Sequence, residues 1–265
     1  MTTGELSFTR LTAGQIAENI GTLIHRNLLQ FFRNRQLLIL SLVQPLTNMV
    51  MFAYIFNKVA SAPGLPYRQY VIPGVLVQAV MVSAMRTGVA VSYDRNAGMN
   101  DRFRSLPIAR SAVILGRTIS DSLKIAIQLT VLTVIAVAAV GFDFRQGLLR
   151  GVAAVAVLAV FGLAVTAFSA WVGLAASDPE ATQMWLITPT LPLVFGSSAI
   201  APIAQMPHWL QVFARCNPVT PAVDLSRNLV NGGPLLHDFL LYVAWTGGIA
   251  VVFTILAVRS FQRSS

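Results

Sequence analysis

The stretch GVAAVAVLAVFGLAVTAFSAWVGLAAS, from Gly151 to Ser177, holds no Asp, Glu, Lys, Arg or His. A helix rises about 1.5 Å per residue, so about 20 residues cross a hydrocarbon core about 30 Å thick. The run exceeds that length, and uninterrupted apolar segments of this size indicate membrane spans. Five more surround it. Gln36–Asn57, Ile125–Phe142, Ala181–Pro207 and Phe239–Val258 are uncharged, and Tyr70–Tyr93 carries one charge, Arg86. Composition agrees, with 55% hydrophobic and 11% charged residues. The sequence therefore predicts an all-α integral membrane protein with six transmembrane helices, at about 36–57, 70–93, 123–142, 151–176, 183–203 and 239–258. Residues 36–263 form the transmembrane domain and residues 1–35 an N-terminal part.

Residues 1–35 lack the apolar core and small-residue cleavage site of a signal peptide, so the first span is expected to act as the insertion signal and stay. Within them Ile16, Ile20, Leu23, Ile24, Leu28 and Phe31 recur near helical spacing, with Glu18, Asn19, His25, Arg26, Asn27 and Arg33 between. That pattern predicts an amphipathic helix in the membrane interface, or one packed on protein. With the N-terminus inside, the inner segments carry Arg10, Arg26, Arg33, Arg35, Arg95, Arg102, Arg104, Arg110, Arg117, Lys124, Arg259 and Arg263. The outer ones carry Lys58, Arg68, Arg145, Arg150, Arg215 and Arg227. The excess favours both termini on the cytoplasmic side of a plasma membrane. A pI near 10.8 then reflects topology and anionic lipid headgroups rather than a nucleic-acid partner.

Missing chemistry narrows the function. A phosphate-binding loop ends in Gly-Lys-Ser/Thr, but the only lysines, Lys58 and Lys124, follow Asn57 and Leu123. No Walker-type site exists in the chain. Proton-coupled carriers place Asp, Glu or His inside their spans, whereas here all lie outside the apolar runs or at their borders. An intramembrane aspartyl or metal-dependent protease fails likewise. The single cysteine, Cys216, has no internal partner and no metal or redox motif. No metal site and no catalytic residue is expected. Arg86 lies roughly 24 Å along the helix from Tyr70, towards the inner leaflet. It either snorkels to inner headgroups or faces a subunit interface or substrate path. Gly162, Thr166 and Ala170 form a small-residue row suited to helix packing. Pro45, Pro73, Pro189, Pro192 and Pro202 predict kinks or breaks.

Two polar segments stand out. The inner one, Asp94 to Ser122, is far longer than a bare connector. Asn100 or Asp101 can cap a short helix whose Phe103, Leu106 and Ile108 form an apolar ridge among arginines, ended by Pro107. Such a helix suits docking of a soluble partner; the plainer alternative is a basic loop held to anionic lipid. The outer segment, Ala204 to Asp238, predicts a helix over His208–Arg215 with Trp209, Leu210, Val212 and Phe213 on an interfacial face. Asn217-Pro218 then breaks the chain, Thr220 caps a second helix with Pro221 at its first position, and Gly232-Gly233 ends it. The pair reads as an extracytoplasmic re-entrant hairpin before the last span, or as a surface loop.

Six spans, the amphipathic N-terminal helix, the inner DRFRSLPIAR (Asp101–Arg110) and the outer PHWLQVFARCNPVTPAVDLSRNL resemble the permease subunits of type-2 ABC exporters. The resemblance is nearest to the daunorubicin/doxorubicin-resistance permeases, covers roughly Gln36 to Arg263, and is most specific at NPVTPAVDLSR, Asn217 to Arg227. It implies a coupling helix at Asn100, Asp101, Arg102, Phe103, Arg104, Ser105, Leu106 and Pro107, seated in a separate ATP-binding subunit that holds ATP and Mg. This chain itself would need no cofactor. The short inner loop Ser177–Gln183, with Asp178 and Glu180, would be a second contact, although Ser-Asp-Pro-Glu also reads as plain helix capping. In the hairpin the resemblance draws attention to Trp209, Phe213, Asn217, Pro218, Pro221, Asp224 and Arg227. Relatives often carry glutamates ahead of the coupling helix; here the stretch is YDRNAGMND, and Asp94 and Asp101 are the acids available.

The expected function is therefore the membrane subunit of an ATP-driven exporter of a hydrophobic or amphiphilic drug or lipid, paired with a second permease chain and in contact with membrane lipids. A polysaccharide exporter of the same superfamily would want more aromatics along its spans for sugar stacking. A stand-alone channel or ion-coupled carrier would show flux without ATP or a partner. A non-transporting scaffold would show none.

Overall fold

The computed structural model describes residues 33, 35–55, 65–97 and 110–263. Among them every regular element is helical. Helix α1, Arg35–Val50, continues as a π-turn over Met51–Ile55; α2 is Tyr67–Asn96; α3, Arg110–Ile135, continues as a π-turn over Ala136–Val140. Then follow α4 (Leu148–Ala175), α5 (Pro179–Phe195), a 3-10 turn (Ile203–Gln205), α6 (His208–Arg215), α7 (Val219–Asn231) and α8 (Leu236–Arg263). The expected interfacial helix within residues 1–35 and the segment Asn100–Pro107 lie outside the described residues.

Among the described residues four helical stretches are long and apolar enough to cross a membrane: Tyr67–Asn96, Gly116–Val140, Leu148–Ala175 and Leu236–Ser260. The first and fifth expected spans correspond to helices of 16 and 17 residues. Helix α5 is short of the length a perpendicular crossing needs, whereas α1 reaches it together with its π-turn over Met51–Ile55. Proline accounts for part of this. Pro45 lies inside α1, and Pro189 and Pro192 inside α5, each removing one helical N–H. The fifth span, expected to reach residue 203, ends at Phe195, and Ser197, Ser198 and Ala199 fold back into the interior.

The helix of the third expected span is longer than that span. Helix α3 begins at Arg110, not near residue 123, and α2 runs on to Asn96. Most of the Asp94–Ser122 segment is thus helix projecting past the apolar zone. Its charges are spaced to pair along and between helices: Lys124 to Asp121 at 2.7 Å, Arg117 to Asp121 at 3.9 Å, and Arg117 to Asp94 across to α2.

Connection lengths and contacts gather the helix ends into two sets. At one, the basic end, lie the start of α1, the end of α2, the start of α3, the α4–α5 connection and the end of α8. At the other, the hairpin end, lie the end of α1, the start of α2, the α3–α4 connection and everything from Gly196 to Leu235. Helix α4 is central and packs against α2, α3, α7 and α8. Gly162, Thr166 and Ala170 are buried there. The tightest approach, however, is elsewhere on α4: a methyl group on Gly88 would stand 2.4 Å from the Ser169 carbonyl oxygen, and one on Gly173 2.2 Å from that of Gly88. Small residues let two backbones meet where lipid provides no hydrophobic drive, so packing itself is the gain. Hydroxyls in the helices turn inward on their own backbone, as Thr47 donates to the Val43 carbonyl, Thr130 to Ala126 and Thr190 to Leu186. One polar tie crosses three helices. Ser83 donates to Gln128 at 2.6 Å, and Gln128 donates to the Ser41 carbonyl at 2.8 Å. The apolar residues of α8, among them Phe239, Leu240, Val243, Val251, Val252 and Ile255, face outward, as a lipid-facing helix requires.

Candidate functional site

At the basic end, Arg95 closes the last turn of α2 and reaches across to α4. Its Nη1 donates to the Leu174 carbonyl and its Nη2 to the Ser177 carbonyl, both at 2.7 Å. Helix C-termini leave carbonyls unpaired and carry partial negative charge, so a guanidinium is suited to that place. One residue earlier, Asp94 accepts from Arg117 of α3. Two adjacent residues of α2 therefore reach two neighbours at the basic end: Asp94 the start of α3, and Arg95 the α4–α5 turn.

That turn is built as a cap. Asp178 Oδ1 accepts from the Ala181 N–H at 2.8 Å, Pro179 occupies the first helical position, and Ser177 Oγ donates to Asp178 Oδ2. The Ala181 N–H foremost, and then the Ser177 hydroxyl, hold the Asp178 carboxyl below the usual carboxylate range. Glu180 lies in the first turn and is exposed.

Towards the membrane, Arg86 lines two hollows. One, about 590 Å³, lies between α1, α2 and α5 and is bordered by Gln44, Gln78, Tyr93, Gln183, Ile187 and Phe195 among others. The other, about 290 Å³, is bordered by Ser41, Ser83, Arg117, Asp121, Lys124 and Gln128. A third hollow, about 160 Å³, is almost wholly apolar and lies between α2, α4, α5 and α8, with Met81, Met85, Phe161, Phe168, Leu186 and Phe253 on its walls.

At the hairpin end, α7 is buried along most of its length. Its Arg227 is the one buried charged residue among the described residues. Nε donates to the Tyr70 carbonyl (3.1 Å), Nη1 to Asp224 Oδ1 (2.7 Å) and Nη2 to the Ser198 carbonyl (2.7 Å). The guanidinium carbon lies 3.7 Å from the centre of the Tyr70 ring. Tyr70 Oη donates to the Ser198 carbonyl and Ser198 Oγ to Asp224. A Cβ on Gly74 would stand 2.0 Å from the Ala199 carbonyl oxygen, so only glycine lets the 197–199 turn settle on α2.

The start of α7 corrects the sequence reading. Asn217-Pro218 separates α6 from α7 as expected, but it also starts the second helix in place of Thr220-Pro221. Asn217 Oδ1 accepts from the Val219 N–H (2.9 Å) and Pro218 has helical dihedrals, the arrangement of an N-cap followed by proline. Asn217 Nδ2 also donates to the Leu193 carbonyl (2.7 Å), which the proline-interrupted end of α5 leaves free. Thr220, expected as the cap, is inside the helix, and its hydroxyl has no partner among the described residues. Pro221 is buried in the first turns rather than opening the helix. Two further expectations hold: α6 covers His208–Arg215, with Trp209, Val212 and Phe213 exposed, and Gly232, at φ 90°, ends α7.

The structure thus brings together Asp224 and Arg227 with Tyr70 and Ser198, leaves Asn217 at the start of α7 against the end of α5, and separates all of them from Arg86 and Asp178 along the bundle. Sequence reasoning did not single out Arg95, Ser83 or Gln128. Their signal was polarity within or at the edge of an apolar run. Among the described residues no three His, Cys, Asp or Glu side chains gather where a metal could sit.

A helical bundle with several membrane-length apolar helices, whose charges lie mostly at its two ends, is a multi-pass membrane protein. Residues 18–230 match the ABC-2 type transporter family, and the chain belongs to it. It is 32% identical over 223 residues to the daunorubicin resistance ABC transporter permease protein DrrB1 of Streptomyces coeruleorubidus, covering 84% of this chain and 78% of that one. It is 25% identical over 267 residues to the probable doxorubicin resistance ABC transporter permease protein DrrC of Mycobacterium tuberculosis, covering 98% and 96%. The putative transport permease ycf38 of the alga Pyropia yezoensis is 25% identical over 241 residues, covering 85% and 78%. The chain is the membrane subunit of an ABC transporter, and membership implies an ATP-binding partner.

Proposed function

We propose that this chain is half of the membrane part of an ATP-driven exporter that moves a hydrophobic or amphiphilic compound, a drug or a lipid, out of a bacterial cell. Two such chains, identical or paralogous, pair with two ATP-binding subunits that hold ATP and Mg. The chain crosses the plasma membrane six times, α1 and α5 included, with both termini and the basic end in the cytoplasm. Helices α6 and α7 then form the re-entrant hairpin of the outer leaflet.

The observation that carries this reading is the pairing at the end of α2. Asp94 and Arg95 tie the two flanks of residues 98–109 to the α4–α5 turn, so a push on one inner connection is passed to α2, α3 and α4 together. In this reading the push comes from the ATP-binding subunit on Asn100–Pro107, with Asp178 and Glu180 as the smaller contact. A conformational cycle needs contacts that differ between its two states, and a segment whose flanks are joined by one partly exposed ion pair, with Arg95 on the carbonyls of the neighbouring turn, provides them. The groove along α1, α2 and α5, with Arg86 in its wall, is the face offered to the second permease or to the cargo.

The test is co-purification with the ATP-binding subunit and ATP-dependent transport in proteoliposomes. Changing Arg102, Phe103 and Arg104 together to alanine is expected to abolish both. Unchanged co-purification and transport would remove the coupling assignment. Flux of equal size without ATP would favour a channel.

A further inference from the structure

We infer that the groove between α1, α2 and α5 takes an amphiphile with an anionic phosphate headgroup, held by Arg86 at the basic end of the groove. The inference rests on the transport reading for its purpose and on geometry for its chemistry. By helix rise Arg86 lies about 15 Å from the Asn96 end of α2, and its side chain is exposed to the groove. The other cations nearby have carboxylate partners: Arg117 pairs with Asp94, and Lys124 with Asp121. No carboxylate of the described residues lies within ion-pair distance of Arg86. A guanidinium so placed calls for an anion from outside the chain, and its planar fork suits phosphate oxygens.

The rest of the groove matches the remainder of such a molecule. Beside Arg86, Tyr93 and Gln183 supply polar contacts for a headgroup. Further towards the hairpin end the wall becomes Ile187, Leu191, Val194 and Phe195, fit for a hydrocarbon chain. Gln78 lies about 12 Å along α2 from Arg86, near where an ester linkage of the molecule would fall. A volume of about 590 Å³ accommodates a headgroup and the upper part of a chain, the rest lying along exposed helix faces. A cationic or neutral cargo gives Arg86 no counter-charge.

The test uses the full chain in detergent, titrated with short-chain phosphatidylglycerol and with phosphatidylcholine of the same chains. Phosphatidylglycerol is expected to bind about tenfold more tightly, a preference worth about 1.4 kcal/mol. Arg86→Gln is expected to abolish the preference and Arg86→Lys to retain part of it. Arg259→Gln, at the exposed end of α8, is expected to leave it intact. Ile187→Trp, which fills the apolar part, is expected to weaken both lipids while leaving the ratio unchanged, and serves if Arg86→Gln does not fold. Inorganic phosphate alone is expected to compete poorly, marking a lipid headgroup rather than a free ion as the ligand. The inference falls if Arg86→Gln leaves the preference unchanged, or if Arg259→Gln lowers it equally, which is general attraction to a basic protein. It also falls if Arg86→Gln dissolves a dimer without touching lipid affinity, which assigns the groove to a second copy. Selective binding without any ATP-dependent flux would overturn the transport reading and leave the site standing; flux without selective binding would do the reverse.

Discussion

Arg227 and Arg95 both hold a helix to its neighbours through backbone carbonyls, one at each end of the bundle. Arg227 is buried, with a carboxylate, two carbonyls and an aromatic face around it. Arg95 is half-buried, and the two carbonyls it holds belong to one turn. The contrast is one of replaceability. Water can take over from Arg95, but nothing within reach can take over from Arg227. The hairpin end is therefore a fixed anchor, and the basic end a set of contacts that can be exchanged when a partner arrives.

The largest effect that follows is for Arg227→Met. It strands the Asp224 carboxylate and frees the Tyr70 and Ser198 carbonyls in one step. Breaking a buried pair from one side costs about 3–5 kcal/mol. Thermal unfolding of the chain in detergent is expected to show the loss, with little folded protein recovered at growth temperature. A change as small as that of Arg95→Met would erase the distinction between the ends.

Asn217→Ala comes next. It removes the N-cap of α7, worth about 0.5–2 kcal/mol, and leaves the Leu193 carbonyl at the end of α5 unpaired, a further cost of about 1–3 kcal/mol. Asn217→Asp keeps the acceptor but not the donor, so it is expected to fall between alanine and wild type. If it matched alanine, the bond to Leu193 would be the whole effect.

How far these two ends could be read from sequence differs for the same physical reason. Apolar length is additive along the chain, so the spans of α2, α4 and α8 were legible within a few residues. Local signals also sufficed for α6 and for the Gly232 stop. Asn217-Pro218 was ambiguous, because the dipeptide that ends one helix also begins the next, and the choice depends on where Leu193 lies. The partners of Arg227 come from α2 and the 197–199 turn, which no local pattern connects. The early start of α3 was hidden because Arg117, Asp121 and Lys124 look like loop until their helical pairing with one another and with Asp94 is seen. The close approach of Gly88 to Gly173 requires the two helices side by side. The Asn100–Pro107 coupling assignment lies outside the described residues and stands on the family resemblance.

Arg95→Met is expected to cost less than about 1 kcal/mol, as exposed charged contacts generally do. Its consequence is mechanical. Without the bonds to Leu174 and Ser177, the α4–α5 turn no longer follows α2. The intact complex is expected to retain most of its ATP hydrolysis while transport falls several-fold. A proportional fall of both would mean that Arg95 acts only through stability, and Arg95→Lys, which keeps a donor near the helix C-terminus, is expected to restore part of the transport.

The smallest effect is the coupling between Asp94 and Arg117, and it tests the contrast most sharply. Both side chains are partly exposed, at 38% and 27% of their full area. A double-mutant cycle with Asp94→Asn and Arg117→Gln is therefore expected to give about 0.2–1 kcal/mol in the isolated chain. Salt near 0.5 M should reduce it further, since the Debye length then falls to several ångströms, to about 4 Å. The corresponding cycle on Asp224 and Arg227 should resist salt, because those charges are shielded from ions by α2 and α7. If residues 98–109 are seated in an ATP-binding subunit, the Asp94–Arg117 coupling should change when that subunit is present, because the pair closes the base of the segment. A coupling that is large, insensitive to salt and blind to the partner would make the basic end a second fixed anchor, and would leave the molecule without an exchangeable contact through which to be driven.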